Sequence, residues 1–532
     1  MKRTLILLTY LLLITATVSA QKLHINTGKD SPLSKLQWAE IAITNMYVDS
    51  VNENKLVEDA IRGMLEKLDP HSAYSTPEEV KELNEPLQGN FEGVGVQFNI
   101  VEDTLMIIQT INDGPSEKVG ILAGDRIVSV NDTTIAGVKM QKNKIMKMLR
   151  GPKGTKVKVG IVRRGIPDVL TFNITRDKIP ITTVDASYMI RPGVGYIRVG
   201  SFGATTYQEF LEALQKLMKD PKTGKAQILK SLILDLQDNG GGLLQTAVKL
   251  TNEFLEKGDL IVYTEGLKQP RQEFRANSSG ELTKTKVAVL VNEFSASASE
   301  ILSGALQDHD RATIIGRRTF GKGLVQRPIP LPDESMIRLT IAHYYTPSGR
   351  CIQKPYKKGD KKAYDNDLDT RYKNGEFTNA DSIHFNDSLK YETLKKHRIV
   401  YGGGGIMPDI FVPLDTTQYT KFHRSLSAKS FVINANLKYI DKHRKELLAE
   451  YKDFDDFNSR FEFPTESINE MYAEAEKQNV KPKDDEEKTH TTTSLKTQLK
   501  ALVARDLWSM TEYFRIMNET NHIVKAALKE IY

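Results

Sequence analysis

The part of this sequence richest in possible chemistry is a run of serines that follows an apolar stretch. Residues 287–310 read VAVLVNEFSASASEILSGALQDHD and predict a buried strand, a turn of small residues and then a helix. A serine at such a junction has free backbone N–H groups beside it, and these amides can stabilise the oxyanion of a tetrahedral intermediate. Ser295, Ser297 and Ser299 all lie in the turn, so the spacing alone does not choose a nucleophile.

The same residues also have a purely structural interpretation. Ser297 to Glu300 reads S-x-x-E, which is a capping box, and on that pattern alone a helix cap is favoured over a nucleophile. A nucleophilic serine also needs a base. His309 follows Ser297 by 12 residues on the same predicted helix, which places it ~18 Å away. His343 is a possible base but carries no motif.

A lysine offers an alternative base. Lys322 lies between Gly321 and Gly323, after the strand-like ATIIG and before an apolar LV. A lysine acts as a base only when it is neutral, and burial away from other cations lowers its pKa in that direction. If this segment is extended, Lys322, Leu324 and Gln326 share one face, and Gln326 could hold the amine in position. Without the serine segment, an exposed turn lysine would be the simpler interpretation.

A nucleotide-binding loop is the third possibility for this region, and we reject it. Gly316 to Lys322 reads G-x-x-x-x-G-K, but the next residue of such a loop should be Ser or Thr and here it is Gly323. A helix should then follow, whereas Pro328 and Pro330 come instead.

The elements that must position these residues change in character along the chain. Helical spacing dominates up to about Glu82, short β runs with glycine between them follow Gly89, and apolar strands alternate with helices from about Val184. Such alternation predicts an α/β core with some parallel strands. The predicted regions are a signal peptide (1–20), an N-terminal helical region (21–88), a β-rich domain (89–176), an α/β core (177–413) with a polar insertion at about 354–400, and a C-terminal helical region (414–532).

Composition and the N-terminus limit the class of protein. The net charge is +6 over 532 residues with no long basic block, so we expect no nucleic-acid partner. The single cysteine, Cys351, excludes an intramolecular disulfide and thiolate metal clusters, and no HExxH motif is present. Lys2 and Arg3, an apolar run from Leu5 to Ile14 and small residues up to Ala20 predict a secretory signal peptide rather than a membrane anchor. We therefore expect an exported protein of the periplasm or cell envelope, soluble or peripherally bound to a membrane.

Several segments together resemble the C-terminal processing peptidases, the tail-specific serine proteases of the S41 type. They are SASASE, TFGKGLVQ with Lys322, LDLQDNGGG (234–242), AIRGMLEKLDPHSAY (60–74), YYTPSGRCIQ (344–353) and GGGIMPDIFV (403–412). The resemblance covers roughly residues 35 to 413. Gln237 stands where the family usually has Arg, and Gly240 where Pro is common.

The resemblance implies a role for each matching residue. Ser297 would be the nucleophile, Lys322 the general base and then the general acid, and Gln326 the residue that orients Lys322. The amides of Ala298 and of a glycine near Gly241 would form the oxyanion hole. No metal or other cofactor is implied. Asp308 also matches a family position, but a straight helix puts it ~16 Å from Ser297, so we interpret it as structural.

Residues 89–176 resemble the PDZ domain of this family, which recognises apolar C-terminal tails and can gate the protease. Gly93 and Gly95 permit a turn whose amides can hold a terminal carboxylate, and the strand edge that includes Val94 and Val96 could accept a peptide as an added strand. A β domain without a ligand is the alternative.

The resulting fold prediction is a multidomain α/β and α+β chain. It has N-terminal helices, a PDZ-like β domain, an α/β protease core of the S41 type and a C-terminal helical region. The predicted function is that of an exported serine endopeptidase that recognises C-terminal tails and cleaves with a Ser–Lys dyad. Its partners would be protein or peptide substrates with accessible apolar C-termini, together with an adaptor or a second copy of the chain. The alternative is a catalytically inactive PDZ-containing scaffold, against which the joint presence of Ser297, Lys322 and Gln326 argues.

Overall fold

The computed structural model of the chain describes residues 31–220, 223–415, 417 and 419–532. It separates into two units, Met1–Leu68 and Asp69–Tyr532, and the predicted signal peptide lies outside the described residues. In the first unit, helices α1 (Pro32–Met46) and α2 (Glu53–Glu66) begin after Ser31 and Asn52, whose side chains cap them. Large apolar side chains of these two helices are exposed: Leu33, Leu36, Trp38, Ile41, Ile43, Met46, Val57 and Met64.

The second unit begins with a tight turn, residues 69–72, which leads into strand β1 (Ala73–Ser75) and helix α3 (Pro77–Gln88). Thr76 starts α3 with a capping box, because its hydroxyl accepts from the Glu79 amide and the Glu79 carboxylate accepts from the Thr76 amide. Strand β1 pairs with a distant strand of the core, Met336–Tyr345. This pairing carries the turn at residues 69–72 to the core.

The β-rich domain follows as a six-stranded antiparallel sheet with short helices. Its strands and helices are β2 (Asn90–Gly93), β3 (Val96–Val101), β4 (Thr104–Thr110), α4 (Pro115–Lys118), β5 (Arg126–Val130), β6 (Thr133–Thr134), α5 (Lys142–Leu149), β7 (Lys156–Val162), β8 (Leu170–Thr175) and β9 (Asp177–Pro180). The order is β3-β4-β5-β7-β8, with β6 on β5, so β3 is an edge strand. Strands β2 and β9 pair with each other, which brings the two ends of the domain together.

The α/β core is built on a six-stranded sheet. Its elements are β10 (Val184–Arg191), β11 (Val194–Val199), α6 (Thr206–Leu217), β12 (Ser231–Asp235), α7 (Leu244–Asn252), β13 (Leu260–Gly266), β14 (Gln269–Arg275), β15 (Lys286–Val291), α8 (Ala298–Asp308), β16 (Thr313–Gly316), β17 (Leu324–Pro330) and β18 (Met336–Tyr345). The sheet runs β10-β11-β12-β15-β16 and ends with a short strand at Ile410–Phe411; all of its pairs except β10–β11 are parallel. Strands β1, β13, β14, β17 and β18 form a second sheet.

The predicted insertion is folded and packs on the core. It contains α9 (Lys361–Asp365), α10 (Asp367–Lys373), two short 3₁₀ turns, and the paired strands β19 (Lys390–Glu392) and β20 (Ile399–Tyr401), after which β21 (Ile410–Phe411) completes the main sheet. Arg371 of α10 donates to the carbonyl oxygens of Arg318 and Thr319, just before Lys322. The insertion therefore supports the segment that carries the predicted base.

The C-terminal region is helical and has a core of its own. Its helices are α11 (Lys421–Ala428), α12 (Phe431–Glu450), α13 (Phe454–Arg460), α14 (Thr465–Glu476), α15 (Asp485–Leu507), α16 (Met510–Met517) and α17 (His522–Ile531). Helix α12 contacts the β-rich domain, where Asp441 pairs with Arg126 at 3.0 Å. Helix α17 covers one face of the main sheet through Val524 and Ala527, while α6, α7 and α8 cover the other. A parallel sheet covered on both faces is what its continuous apolar strands require.

The predicted fold class is confirmed, since the described residues form a multidomain α/β chain with helices at both ends. The exact boundaries between the predicted regions remain a prediction. Among the helices of the described residues, none is both long and apolar enough to span a lipid bilayer.

Candidate active site

The structure distinguishes the three serines of the turn after β15. The hydroxyl of Ser295 donates to the Leu236 carbonyl oxygen at 2.7 Å, and that of Ser299 donates to the Asn239 carbonyl oxygen at 2.9 Å. Both serines are completely buried, whereas Ser297 is partly exposed. Ser295 and Ser299 thus hold the turn in place, and Ser297 is the one of the three that is not fully buried.

Ser297 also has an unusual backbone conformation. Its φ is 56° and its ψ is −111°, directly before the first residue of α8. A non-glycine residue in such a conformation costs on the order of 1–3 kcal/mol and persists only where its surroundings hold it. The surroundings here include Gly241, where an added Cβ would lie 2.8 Å from the Ser297 Cβ. The strain is consistent with a serine that presents its hydroxyl outside the helix.

The buried carboxylate of Glu300 joins the serine turn to the lysine segment. Its Oε2 accepts from the amides of Ser297 and Lys322 at 2.8 and 2.9 Å. Its Oε1 accepts from the Gly321 amide at 2.7 Å and the Thr319 hydroxyl at 2.5 Å. The capping box predicted from S-x-x-E therefore accounts for only one of the four hydrogen bonds that Glu300 accepts. The other three fix the segment that carries Lys322.

Tyr344 of β18 provides a second connection between the two residues. Its buried hydroxyl donates to the carbonyl oxygens of Lys322 and of Ser297, the latter at 3.2 Å. Burial raises the pKa of this phenol well above its ordinary value, so the hydroxyl keeps its proton. Ser297 and Lys322 are thus held to each other at both their amides and their carbonyls, although 25 residues separate them.

The electrostatic surroundings of Lys322 favour the neutral amine. Burial is the largest cause that lowers its pKa, and the positive charge of Arg338 acts in the same direction. The negative charges of Glu300 and Asp69 oppose this shift. Burial also raises the pKa of Glu300 to about 7, despite the hydrogen bonds that favour its charged form. The net direction for Lys322 is the one that a general base needs.

Gln326 lies close to this site, but its contacts differ from the predicted one. Its side-chain amide donates to the Leu324 carbonyl oxygen at 3.2 Å and to the Thr340 hydroxyl at 3.3 Å. Strand β17 begins at Leu324, and its pairing with β18 shifts between Val325 and Gln326. The regular alternation of strand faces that was predicted from Lys322 to Gln326 therefore does not determine where the Gln326 side chain points.

The two predicted oxyanion-hole residues lie next to each other. An added Cβ on Gly241 would be 2.9 Å from the Ala298 nitrogen, and the φ of Gly241 is +102°, which only glycine adopts readily. Ala298 is the first residue of α8, so its amide lies outside the hydrogen-bond ladder of the helix. The Gly241 amide, however, donates to the Asn239 side-chain oxygen at 2.8 Å. In this geometry the Gly241 amide, the second predicted oxyanion-hole donor, is already hydrogen-bonded within the protein.

Other candidates from the sequence have structural contacts. His309 directly follows the last residue of α8, and its Nε2 is 2.7 Å from the Leu260 carbonyl oxygen. Asp308 is fully buried and pairs with Arg350 at 2.7 Å, as a structural residue does. A strand, β17, begins two residues after Lys322, where a nucleotide-binding loop would continue into a helix.

Sequence reasoning did not assign roles to Asp69, His71, Glu300, Tyr344 or Tyr364. The turn at residues 69–72 was visible as a family motif, and Glu300 as a helix cap. Neither signal indicated a contact with the lysine segment. No local pattern marked Tyr364, which lies in the polar insertion.

The β-rich domain contains a groove beside its edge strand. The groove has a volume of about 330 Å³ and lies between β3 and α5; its lining residues are Phe91, Val94, Gly95, Val96, Gln97, Phe98, Lys142, Met146, Leu149 and Arg150. Three of the four predicted tail-binding residues line it, and Gly93 immediately precedes them at the end of β2.

Comparison with known proteins identifies the parts of the chain. Residues 193–362 match the model of peptidase family S41, residues 93–175 a PDZ domain, and residues 13–78 the N-terminal domain of the activating protease CtpB. Residues 422–509 match a family of unknown function, DUF8443.

Relatives match over most of their own length. A carboxy-terminal-processing protease of Bartonella bacilliformis is 39% identical over 63% of this chain and 76% of its own length. The carboxy-terminal processing protease CtpA of Bacillus subtilis is 35% identical over 71% of this chain and 82% of its own length. CtpB of the same organism is 34% identical over 64% of this chain and 69% of its own length. The chain therefore belongs to peptidase family S41, as a serine-type C-terminal processing peptidase with a PDZ domain.

Proposed function

We propose that this peptidase cleaves protein substrates with Ser297 as nucleophile and Lys322 as general base. The observation that carries the proposal is the shared support of the two residues by Glu300 and Tyr344. Such support makes sense for a pair that must act together, because small displacements of reacting groups reduce rates steeply. The lowered pKa of Lys322 supports the same assignment.

The reaction follows from these roles. Neutral Lys322 takes the proton of the Ser297 hydroxyl as its oxygen attacks the scissile carbonyl carbon. The Ala298 amide stabilises the resulting oxyanion, and Gly241 supplies the second amide once the Asn239 side chain releases it. The C–N bond then breaks and the leaving amine takes the proton from Lys322. Water attacks the acyl-enzyme with Lys322 again as base, which releases the acid product and restores Ser297.

Gln326 would support this cycle by orienting Lys322. In the present geometry it reaches Thr340, and Thr340 in turn donates to Asp69 at 2.9 Å. We expect Gln326 to act on the amine from this anchored position, and Gln326→Ala to lower kcat more than it changes KM.

Substrate tails would bind in the groove of the PDZ domain. Strand β3 is the free edge of its sheet, so an extended peptide can pair with it as an added strand. The backbone amides of residues 93–96 would hold the terminal carboxylate, and the apolar side chains of the groove, such as Met146 and Leu149, favour an apolar last residue. Relatives named for carboxy-terminal processing support a substrate class defined by its C-terminus.

Two further features belong to the proposal. Residues 1–20 have the composition of a secretory signal peptide, so we propose export to the periplasm or cell envelope. Sequencing the N-terminus of the protein isolated from the cell envelope tests this, since cleavage after Ala20 would begin the mature chain at Gln21.

We also propose self-association through α1 and α2, whose exposed apolar residues include Trp38 and Met46. A dimer in sedimentation analysis that Trp38→Glu converts to a monomer would support it, and an unchanged monomer would contradict it.

The catalytic proposal is tested with an unfolded protein that carries an apolar C-terminal tail. Wild type, Ser297→Ala, Lys322→Ala and Lys322→Arg are compared in EDTA for cleavage and for tail binding. We expect only wild type to cut, because Ser297→Ala lacks the attacking hydroxyl, Lys322→Ala lacks the amine, and the arginine of Lys322→Arg stays charged and cannot act as a base. All four should bind the tail. If Lys322→Ala cuts like wild type, Lys322 is not the base. If none cuts but all bind, the chain is a scaffold under these conditions.

A further inference from the structure

Lys322 lies inside a closed circuit of hydrogen bonds that includes residues far from it in sequence. On the C-terminal side of the lysine, Gln326 donates to the Thr340 hydroxyl at 3.3 Å, and this hydroxyl donates to Asp69 Oδ1 at 2.9 Å. The same carboxylate oxygen accepts from the His71 amide at 2.9 Å. The first half of the circuit thus runs from β17 through β18 to the turn at residues 69–72.

The second half returns to the residue next to Lys322. The Nε2 of His71 shares a hydrogen bond of 2.9 Å with the Tyr364 hydroxyl. Gln353 donates to that hydroxyl at 3.4 Å and accepts from the Gly323 amide at 2.8 Å. We call this set the hydrogen-bond circuit; its members are Asp69, His71, Gly323, Gln326, Thr340, Gln353 and Tyr364.

Packing closes the circuit on the side of the insertion. The Tyr364 side chain is 5% exposed. Its ring meets His71 edge-on at 5.1 Å and Phe320 at 5.9 Å. The Lys354 ammonium lies 4.0 Å from the Tyr364 ring centroid and pairs with Asp367 at 2.9 Å. These contacts seat α9 against the lysine segment and exclude water from this side of it.

The charges around the circuit are arranged so that His71 stays neutral. Burial is the largest cause that lowers the pKa of His71, to about 4, and the positive charges of Lys322, Lys354 and Lys361 act in the same direction. Asp69 opposes them. Lys322 itself faces Arg338, Glu300 and Asp69 in addition to His71. A neutral imidazole can therefore line the lysine pocket without adding a second positive charge.

We propose that His71 and Tyr364 are positioning residues for Lys322, which close its pocket to water and hold the backbone on both sides of it through the hydrogen-bond circuit. The proposal rests on Lys322 as the base of the proposed function. It gives the insertion a role, because α9 supplies Tyr364. It also gives the turn before β1 a role in catalysis without placing either residue against the substrate.

Tyr364→Phe tests the proposal, since it removes one hydroxyl and keeps the ring. We expect water to enter the pocket and the charged form of Lys322 to gain stability. The rise of kcat/KM with pH should then move to higher pH. The loss near neutral pH should be on the order of tenfold and should shrink as the solution becomes alkaline. His71→Ala should act in the same way, and His71→Gln, which restores a neutral partner for the hydroxyl, should recover part of the loss.

Tyr356→Phe is the matched control. Tyr356 lies in the same insertion, with its ring 6.4 Å from that of Tyr364, but it is not a member of the circuit. We expect its pH profile to match wild type. If Tyr364→Phe and Tyr356→Phe give the same profile, or if Tyr364→Phe lowers kcat equally at every pH, the positioning role is refuted.

A second measurement reads Lys322 without using activity. In a Ser297→Ala background, a trace of acetic anhydride labels lysines in proportion to their neutral fraction, and mass spectrometry reports the labelling of Lys322 across pH. We expect the midpoint to move upward in Tyr364→Phe, and an unchanged midpoint refutes the proposal. This outcome is distinct from failure of the dyad, which would appear as cleavage by Lys322→Ala.

Discussion

Replacing Glu300 with glutamine should lower kcat steeply at a moderate cost in stability. The carboxylate accepts four hydrogen bonds, two at each oxygen, and they hold Ser297 and the segment before and at Lys322. A glutamine side chain of the same shape can accept at one end only. At the other end its NH₂ group would face donors, so about two of the four bonds are lost. The segments that carry Ser297 and Lys322 are then no longer fixed to a common acceptor.

The magnitude follows from two opposing effects. Hydrogen bonds to a charged group contribute about 1.5–3 kcal/mol each, so two lost bonds cost on the order of 3–6 kcal/mol. Burial raises the pKa of Glu300 from 4.5 to about 7, so a neutral side chain avoids an ionisation cost on the order of 3 kcal/mol at neutral pH. The net loss of stability should be within about 3 kcal/mol. A displacement of about 1 Å between nucleophile and base costs about 100-fold in rate.

The assay compares wild type, Glu300→Gln and the control Glu253→Gln for kcat, KM and urea unfolding. Glu253 is also a buried carboxylate of the core, but it accepts from the Tyr207 hydroxyl at 2.6 Å and from the Glu281 amide at 3.3 Å, away from the segments of Ser297 and Lys322. We expect kcat to fall about 100-fold in Glu300→Gln with KM little changed, and Glu253→Gln to lose stability while it keeps its activity. Wild-type kcat in Glu300→Gln would refute the positioning role of the carboxylate.

The pH dependence gives an independent check on the same variant. Because the pKa of Glu300 is raised in the folded protein, the folded state binds more protons than the unfolded chain between about 4.5 and 7, and stability falls as pH rises through that window. Glu300→Gln should remove this slope. The Glu300 charge also raises the pKa of Lys322, so its loss should move the acid limb of kcat/KM to lower pH, opposite to the shift expected for Tyr364→Phe.

Three further substitutions test other parts of the structure. Asp308→Asn leaves the fully buried Arg350 without its charged partner. We expect a loss of about 3–5 kcal/mol in urea unfolding, and a change below about 1 kcal/mol would contradict the structural role. Tyr344→Phe should lower kcat about tenfold in steady-state kinetics, because its hydroxyl holds the carbonyls of Ser297 and Lys322, the proposed nucleophile and base; a KM effect alone would argue against it. Gly95→Ala forces a side chain into a residue with φ of +75°, 3.0 Å from Ile179, at a cost of about 1–2 kcal/mol. It should weaken the binding of a labelled tail peptide in fluorescence anisotropy, and unchanged affinity would place the tail elsewhere.

Most of the secondary structure could be predicted because it depends on local periodicity. The apolar run KVAVLV became β15, and YQEFLEALQKL became α6. The alternation of apolar strands and helices predicted an α/β core with some parallel strands, and the main sheet is parallel at every pair except β10–β11. The sequence did not show that α17, more than 200 residues away from β15, covers one face of this sheet, because nothing local records which apolar surface a helix will meet.

The candidate site likewise has features that the sequence predicted and features that depend on tertiary contacts. The residue types in SASASE and FGKG allowed a serine nucleophile with a lysine base, and the resemblance to the S41 peptidases made this pair the predicted one. The resemblance selected Ser297 among the three serines, and the tertiary contacts add a physical reason, because the hydroxyls of Ser295 and Ser299 donate to carbonyl oxygens about 60 residues away. Gln326 was found as a nearby residue, but a shift in strand pairing changed its partner.

The sequence by itself determined which candidate residues and segments are present: serines after an apolar strand, a lysine between two glycines, and a β-rich domain. Those depend on residue type and on short-range geometry. The tertiary structure decided how these residues are held in place and which protonation states they favour. Burial of Glu300 and Lys322 shifts their pKa values in ways that no sequence pattern encodes. The contact between His71 and Tyr364 joins residues 293 positions apart, because desolvation and long-range hydrogen bonds arise only when the chain is folded.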